Sequence, residues 1–434
     1  MRAVRSSTAA TAPNRLLTPW NSRTSPVAIT PPLSRRCSPH PARGGPSIAN
    51  PRRLPGRPAG SVSGVTDLES NAAASGSAVQ VRVDRALGHL TLDRPRAINA
   101  LDLGMLRILR RTLEAWAVHP GVDAVLLDGS GDRGFCAGGD VRGLREQVIG
   151  GRIGDVASFF REEYAVDALI GSYPKPVVVF ADGVTMGGGI GLAGHAAVRI
   201  VTERSRLAMP EVRIGFTPDV GGSLLLGRAP GRVGEYLALT GGTMDAADAI
   251  YAGFADHLVP ADRLGDLREA LTSRADPQTP TELALLFDET PEPSRLSLAR
   301  PWIDDAFAGE SVDEIEARLR ARPEPEAQRT ADDLAALPPT ALTVTLAAVR
   351  AARQLPDLPA ALEREYGLVM WFAQTQPDLA EGIRARLVDK DDAPTWSPAS
   401  RAELAERLVD EAFSFEPRPP LWDRPDPDPD LGRG

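Results

Sequence analysis

Apolar and polar residues first alternate regularly just after Ala78. Residues 79–83, Val-Gln-Val-Arg-Val, have a period of two and predict a strand, and 89–92 predict its hairpin partner. Asp102 then precedes apolar residues at helical spacing, which predicts an N-cap followed by a helix over 103–118. The apolar run 124–127 predicts a buried strand.

Strands and helices continue to alternate through the next part of the chain. The pattern predicts helices over 159–171 and 188–197, and strands over 176–180, 198–202 and 206–208. Because strands alternate with helices, we predict an α/β fold with parallel strand pairing and crossover helices.

Beyond about residue 233 the pattern becomes helical. Helical spacing occurs over 340–354, 359–373 and 401–413, and Ser311 with Glu314 has the form of a capping box. We therefore predict four parts: a disordered leader 1–76, an α/β core 77–260, a helical region 261–413 and a Pro/Asp-rich disordered tail 414–434.

Charge is distributed unevenly along the chain. Residues 1–66 contain ten arginines and no acidic residue, a charge of +10, and the whole chain carries −9, so residues 67–434 carry −19. Such an acidic body argues against a general nucleic-acid partner. No apolar run approaches the ~20 residues that span a bilayer, which argues against a membrane partner. Two cysteines exclude a disulfide-rich scaffold and a zinc site built from thiolates.

The leader is rich in Pro, Ser, Ala, Arg and Thr and cannot bury enough apolar surface to fold. Its Arg-rich, acid-poor composition is typical of an organelle transit peptide. The alternatives are a simple disordered leader or upstream sequence from a mis-set start. We favour these, because only two of the 49 basic residues in the chain are lysines, so arginine is abundant throughout. We expect a cytoplasmic location if the chain is bacterial and a mitochondrial one if it is eukaryotic, and favour the bacterial cytoplasm.

Two glycine-rich turns follow buried strands, at 134–140 and 185–191. Glycine lets another molecule approach the backbone closely, and a helix N-terminus adds positive potential. Two such turns can therefore offer N–H groups to a developing oxyanion. The alternative is that these glycines serve only tight turns and close packing. Neither turn has the spacing of a phosphate-binding motif.

Two carboxylates stand in connected turns further along the chain. Glu211 follows Pro210, and Asp219 lies in a Pro-Asp-Val-Gly-Gly turn. Paired acids in distinct environments can divide acid and base roles. The alternative for Asp219, and the interpretation we favour for Asp140, is helix capping. Glu162 and Glu163 would by the pattern alone lie on a solvated helix face.

Other residue types give weaker signals. The histidines show no metal-ligand spacing, and we predict no metal site. Cys136 is a conceivable nucleophile, but we favour a small packed side chain.

Several of these strings resemble the enoyl-CoA hydratase/isomerase (crotonase) superfamily. The resemblance rests on Leu92–Leu101, Phe135–Asp140 and Met186–Gly189. Further strings resemble its 3-hydroxyisobutyryl-CoA hydrolase branch, namely Phe159–Tyr164, Thr185–Gly189, Ala208–Glu211, Pro218–Gly222, Leu237–Gly241, Glu381–Ala385 and Asp389–Asp391. The match extends over about residues 78–400. It implies a crotonase-like superhelix of β-β-α turns followed by a helical C-terminal region.

The resemblance also implies residue roles. The oxyanion donors would be the N–H groups of Ala137 and Gly188, with Glu211 and Asp219 at the thioester. Arg96, and in the same way Lys390, would face coenzyme A. The implied substrate contacts are Glu163, Gly188, Glu211, Asp219, Arg96, Gly138, Gly139 and Asp140.

Gly191 distinguishes between the reactions of the superfamily. Hydratases hold water between two glutamates, and the resemblance places the first of them where this chain has Gly191. We therefore expect an acyl-CoA thioester hydrolase acting on 3-hydroxyisobutyryl-CoA in valine degradation, with no metal or redox cofactor and coenzyme A as part of the substrate. The alternative is an enoyl-CoA hydratase or isomerase; a third is a non-catalytic, RNA-associated protein. The sequence leaves the oligomeric state and the role of Glu211, nucleophile or general base, open.

Overall fold

A computed structural model describes residues 77–274 and 279–422. The predicted leader therefore lies outside the described residues, as do the last twelve residues of the chain. Strands β1 (Val79–Asp84) and β2 (Leu87–Leu92) form the expected antiparallel hairpin, with Val81 opposite Leu90. Every residue of β2 is buried, so β2 lies inside the sheet rather than at its edge.

Six strands form one sheet in the order β1-β2-β3-β4-β6-β8, and two form a second sheet, β5-β7. All pairs except β1-β2 are parallel, as predicted. The remaining strands are β3 (Ala124–Gly129), β4 (Val177–Phe180), β5 (Val184–Met186), β6 (Val198–Val201), β7 (Arg206–Ala208) and β8 (His257–Leu258). After β4 and again after β6 the chain adds one strand to the small sheet and then a helical segment, which is the expected β-β-α turn.

Local sequence explains how the core helices begin. The Asp102 side chain accepts the N–H of Met105 at 2.9 Å and starts α1 (Leu103–Val118) where predicted. The other core helices are α2 (Val141–Ile149), α3 (Ile153–Gly171), α4 (Gly188–Gly194), α5 (Gly222–Arg228), α6 (Val233–Thr240) and α7 (Ala246–Ala252). Short 3-10 helices cover Pro95–Ala97 and Glu211–Ile214. Helix α3 begins six residues before the predicted start, and α4 ends three residues before the predicted end.

The C-terminal half is helical, as expected. Its helices are α8 (Leu264–Ser273), α9 (Pro280–Leu285), α10 (Arg295–Ala306), α11 (Val312–Arg320), α12 (Pro325–Ala336), α13 (Pro339–Ala352), α14 (Leu358–Thr375), α15 (Asp378–Ile383) and α16 (Leu408–Phe413). A 3-10 turn at Ala261–Arg263 precedes α8, and a π-helical turn covers Arg384–Val388 after α15.

Two predictions for this half need correction. The segment 401–413 is not one helix, because a 3-10 turn at Arg401–Glu403 is separated from α16. Ser311 caps α11 through the N–H of Glu314, but the Glu314 carboxylate accepts the N–H of Glu310 instead of Ser311. The capping box is therefore only half formed.

The C-terminal helices share a hydrophobic core with the sheet region. Phe160 on α3 stacks on Phe216, which in turn packs edge-on against Phe372 of α14. Residues 414–422, predicted to belong to a disordered tail, are placed against α3 and α14: Leu421 is buried and its carbonyl accepts from Arg161 at 3.3 Å. Composition alone missed this, since one buried leucine and a few backbone contacts anchor a proline-rich segment.

Among the helices of the described residues, none is by itself long and apolar enough to cross a membrane. Helices α12 and α13 reach the required length and composition only as a pair, and they are bent by 117° relative to each other.

Candidate active site

The two glycine-rich turns face each other at the N-terminus of α4. Gly138 has a φ of +99° and Gly187 a φ of +50°, conformations that favour glycine. A Cβ on Gly138 would lie 3.0 Å from the carbonyl oxygen of Met186 and 3.4 Å from the nitrogen of Gly188. The two turns are therefore so close that a side chain at position 138 would crowd the opposite backbone, and glycine avoids this contact.

The structure corrects one of the two predicted oxyanion donors. The N–H of Ala137 donates to the carbonyl of Ile98 at 2.9 Å and is already used within the fold. The next N–H, of Gly138, faces the sulfur of Cys136 at 3.4 Å. Throughout the described chain, no protein acceptor is found for the N–H groups of Gly139 and Gly188. The pair free to bind a ligand oxygen is therefore Gly139 and Gly188.

Glu163 on α3 points into the protein, whereas its neighbour Glu162 does not. Glu162 pairs with Arg110 at 3.3 Å, as expected for a residue near the surface. Glu163 is only 2% exposed, and its Oε1 has no hydrogen-bond partner. A Cβ on Gly188 would overlap this oxygen, so the Glu163 carboxyl lies directly beside the start of α4. Burial, and then the charge of Asp219, raise the pKa of Glu163 well above its usual value.

Glu211 opens the 3-10 helix that follows β7. Its side chain is buried and its Oε2 has no partner, while a Cβ on Gly187 would lie 2.9 Å from its Oε1. The carboxyl therefore faces the glycine turn that precedes the N–H of Gly188. Burial, followed by the charge of Asp219, raises the pKa of Glu211 well above that of an exposed glutamate. A carboxylate in this state is more basic than one in water.

Asp219 joins the same cluster and does not cap a helix with its side chain. Its Oδ2 accepts the hydroxyl of Tyr164 at 2.9 Å, while its carbonyl accepts the N–H of Gly222 at 2.6 Å. Helix α5 has Gly221 at its N-cap, with no side-chain cap. Burial raises the pKa of Asp219 to about 7, against the opposing hydrogen bond from Tyr164. The capping alternative for Asp219 is therefore wrong.

The fold adds two carboxyls that sequence reasoning missed. Asp167, one turn after Glu163, is fully buried, and neither of its oxygens has a partner. A Cβ on Gly191 would lie 2.7 and 2.8 Å from these oxygens. Glu365 on α14 is also buried, and burial raises its pKa to about 8. Asp167 could have been found from the sequence, because it lies four residues after Glu163 and so on the same face of the helix. Nothing in the local sequence marked Glu365.

The cluster lacks positive charge. The charges that raise the pKa values of these carboxyls are those of one another. Over residues 77–274 and 279–422, no group of three or more His, Cys, Asp or Glu side chains is arranged to hold a metal ion. Because burial disfavours the charged form and like charges in a buried site oppose one another's ionisation, the pKa values of Glu163, Asp167 and Glu211 all lie above the usual range of a carboxyl.

The other predicted residues have different surroundings. Asp140 caps α2 through the N–H of Gly143 at 3.4 Å and lies 3.6 Å from Arg94, as the capping interpretation expected. Arg96 and Lys390 are exposed. Cys136 is fully buried, and burial raises the pKa of its thiol to about 12, which argues against a nucleophilic role. Contacts of Asp140, Arg96 and Lys390 with coenzyme A stay predictions.

A sequence model of enoyl-CoA hydratase/isomerase matches residues 87–413, which include both glycine turns and all five carboxyls. The chain belongs to this family. The structural core of the family, β-β-α turns that bring two glycine-rich turns together, is the arrangement described above.

Curated relatives carry hydrolase names. A Danio rerio protein named "3-hydroxyisobutyryl-CoA hydrolase, mitochondrial" is 37% identical over 337 residues, which cover 75% of this chain and 87% of the relative. An Arabidopsis thaliana protein named "Probable 3-hydroxyisobutyryl-CoA hydrolase 3" is 34% identical over 364 residues, covering 81% and 95%. The word mitochondrial belongs to the name of the Danio rerio relative and is not a property of this chain.

Similar solved structures carry other names within the family. A carnitinyl-CoA dehydratase from Mycobacterium thermoresistibile is 42% identical with a TM-score of 0.76, covering 80% of this chain and 98% of that one. An enoyl-CoA hydratase from Rhodobacter sphaeroides is 40% identical with a TM-score of 0.73, covering 78% and 97%. The names of these relatives thus divide between thioester hydrolysis and hydration chemistry.

Proposed function

We propose that this member of the enoyl-CoA hydratase/isomerase family hydrolyses 3-hydroxyisobutyryl-CoA, a short branched 3-hydroxyacyl thioester, to the free acid and coenzyme A, a step of valine degradation. The observation that supports it most directly is the Glu211 carboxyl beside a glycine turn whose next N–H, of Gly188, has no protein acceptor. Hydrolase names among relatives that cover most of the chain support the same substrate.

The backbone donors serve the carbonyl oxygen of the thioester. In the proposed complex this oxygen accepts hydrogen bonds from the N–H groups of Gly139 and Gly188. Neither N–H group has to break a hydrogen bond within the described protein to bind it. As the carbonyl becomes tetrahedral, negative charge develops on the oxygen. Donors placed in advance stabilise that charge, and each one contributes roughly 2.7–4 kcal/mol to the lowering of the barrier.

Glu211 supplies the attack on the thioester carbon. Either its carboxylate forms an acyl anhydride that water then hydrolyses, or it takes a proton from a water molecule that attacks directly. In both routes a C–O bond forms and the C–S bond breaks, and the coenzyme A thiolate receives the proton that the water molecule loses. In the anhydride route that water also breaks the acyl bond to Glu211 and frees its carboxylate. Both routes require Glu211 to ionise, and the raised pKa makes its ionised form a stronger base than an exposed glutamate.

The two neighbouring carboxyls are proposed to hold the substrate. Asp219 accepts the 3-hydroxyl, since its Oδ1 is not used by Tyr164, which donates to Oδ2. Burial favours the neutral form of Glu163 by raising its pKa, and in that form the carboxyl beside Gly188 donates a hydrogen bond to the bound acyl group. We propose no metal or redox cofactor for this chemistry, and coenzyme A enters as part of the substrate. The cellular location stays a prediction.

A second candidate is hydration of a 2-enoyl-CoA. Gly191 has no side chain to act as a second acid or base, but the Asp167 carboxyl lies in the space that such a side chain would enter. The names of the two similar solved structures point the same way. We favour hydrolysis because both oxygens of Asp167 are fully enclosed, whereas addition of water needs a carboxyl that reaches the substrate.

One experiment separates the two candidates. The purified chain is given 3-hydroxyisobutyryl-CoA with detection of free thiol, and crotonyl-CoA with detection of the loss of the conjugated double bond. We expect thiol release and little hydration. Hydration at a rate comparable to thiol release would favour the second candidate, and neither activity would contradict both.

A further inference from the structure

The segment that carries Asp219 is held in a strained conformation. Val220 has a φ of +53°, and Gly221 follows with a φ of +76°. A β-branched residue is a genuine outlier in this region, so the backbone at Val220 is strained. Such a conformation persists only when the surrounding structure fixes it, so the contacts that fix it also fix Asp219.

One of these contacts comes from the core. The Val220 side chain is fully buried, and its carbonyl lies 2.8 Å from Nε2 of His195. Burial lowers the pKa of His195 to about 4, so the ring is neutral at pH 7. A carbonyl can only accept, so Nε2 carries the ring proton and donates it to Val220.

The other contacts come from a distant helix. Glu365 on α14 accepts the N–H of Gly221 at 2.6 Å with Oε2 and the N–H of Ser223 at 2.9 Å with Oε1. These N–H groups stand at the N-terminus of α5, where no local side chain caps the helix. A single carboxyl group from α14 therefore replaces the missing cap.

The residue next to Glu365 reaches the same site from another side. The ring of Tyr366 packs edge-on against that of Tyr164, with 6.3 Å between centroids. Tyr164 in turn donates its hydroxyl to Asp219 at 2.9 Å. Helix α14 thus contacts both the backbone that follows Asp219 and the side chain that hydrogen-bonds it.

We infer that Glu365 is a positioning residue for Asp219: by binding the N–H groups of Gly221 and Ser223 it holds the strained turn that aims Asp219 at the 3-hydroxyl of the substrate. This inference rests on the proposed function for the role of Asp219. It goes beyond that function in giving the C-terminal helical region a part in substrate selection.

The first test is Glu365→Gln. An amide oxygen accepts one N–H, but the amide nitrogen faces the other N–H and repels it, so the turn should loosen. We expect the preference for 3-hydroxyisobutyryl-CoA over isobutyryl-CoA, measured as a ratio of Kd values and of kcat/KM values, to fall about tenfold. If this variant does not fold, Glu365→Asp keeps the carboxyl group on a shorter side chain and is measured in the same way.

Asp248→Asn is a matched control. Asp248 is also a buried carboxyl that caps a helix from another element, accepting the N–H of Leu296 at 3.0 Å and the hydroxyl of Ser294 at 2.7 Å. Both variants should lower Tm, but only Glu365→Gln should change the preference for the hydroxyl. In an Asp219→Asn background, Glu365→Gln should have no further effect on that preference.

Amide hydrogen exchange gives a measurement that does not depend on turnover. We expect faster exchange at Gly221 and Ser223 in Glu365→Gln, while the amide of Leu296 stays unchanged. An unchanged exchange rate at Gly221 and Ser223, or an equal change in substrate preference in both variants, overturns the inference. If the unmodified chain hydrolyses neither ester, the proposed function fails, while the exchange rates and Kd ratios still decide whether Glu365 holds the turn.

Discussion

Asp128 in the sheet and Glu211 at the candidate site are both buried carboxyls, but they have different surroundings. Asp128, on β3, lies 2.9 Å from both Nε2 of His89 and the guanidinium of Arg268, and it accepts the hydroxyl of Thr91 at 2.7 Å. Burial by itself would raise its pKa, but these partners outweigh burial and lower it. Glu211 has an oxygen without a partner and a pKa that burial and Asp219 both raise.

The difference shows what each carboxyl contributes. A buried carboxyl that is paired and hydrogen-bonded stabilises the fold, and removing it leaves its partners unsatisfied. A buried carboxyl without a partner costs stability and is ready to react with a ligand. The two regions should therefore respond in opposite ways to the same substitution of an acid by its amide.

The largest effect is expected from Glu211→Gln. This change keeps the size of the side chain but removes its charge, so turnover should fall by at least ~100-fold. KM should change little because the backbone donors of Gly139 and Gly188 remain. Tm should not fall, since no salt bridge is lost. Steady-state measurement of thiol release gives turnover and KM, and a thermal melt gives Tm. Turnover near that of the unmodified chain would contradict the role of Glu211.

Asp128→Asn should do the reverse. It removes the charge that holds His89 and Arg268, so we expect a loss of about 1–3 kcal/mol in the free energy of unfolding. The kcat and KM for thiol release should stay as they are. Chemical denaturation provides the stability, and a drop in kcat without a drop in stability would mean that Asp128 serves the site.

Asp167→Asn tests how much a buried carboxyl without a hydrogen-bond partner lowers the stability of the fold. A folded-state pKa raised above the unfolded value stabilises the folded state at low pH, and this contribution is lost as the pH rises through the folded pKa. The unmodified chain should therefore lose stability through this group as the pH rises above the usual pKa of an aspartate. In Asp167→Asn that loss should shrink, raising Tm at pH 8 by about 2 °C or more. Melts at pH 5 and pH 8 check this, and an equal pH dependence in both proteins would contradict it.

The smallest effect expected is a shift in the pH profile of activity. Hydrolysis requires ionised Glu211, whose pKa is raised, so kcat should increase with pH over a range above the usual pKa of a glutamate. Asp219 is the second cause of that raised pKa, after burial. Asp219→Asn should therefore move the rising limb to lower pH, as well as weaken the preference for the 3-hydroxyl. A limb that stays in place or moves to higher pH would show that Asp219 does not act on Glu211.

Local chemistry made much of the fold predictable. The alternation at 79–83 and the Asp102 cap depend on neighbours within a few residues, and the structure has both where the sequence indicated. The prediction for 401–413 was wrong because helical spacing does not reveal the break after Glu403. The placement of Leu421 against α3 depends on a contact 260 residues away along the chain.

The candidate site was predicted in part. Glu163, Gly188, Glu211 and Asp219 were named from motifs, and the structure brings them together. Ala137 was the wrong donor because its N–H is taken by Ile98, a partner that the local motif does not show. Asp167 and Glu365 were missed because each has an ordinary helical context, and only packing encloses it.

The sequence by itself determined the family, the two glycine turns and the acids that follow β7, because each depends on residue types at short, fixed spacings. Only the tertiary structure decided which N–H groups are free, which carboxyls are left without partners, and that a carboxyl group 144 residues beyond Gly221 holds its turn. The physical reason is that hydrogen-bond satisfaction and desolvation are properties of the packed molecule, set by groups from distant segments that meet only when the chain folds.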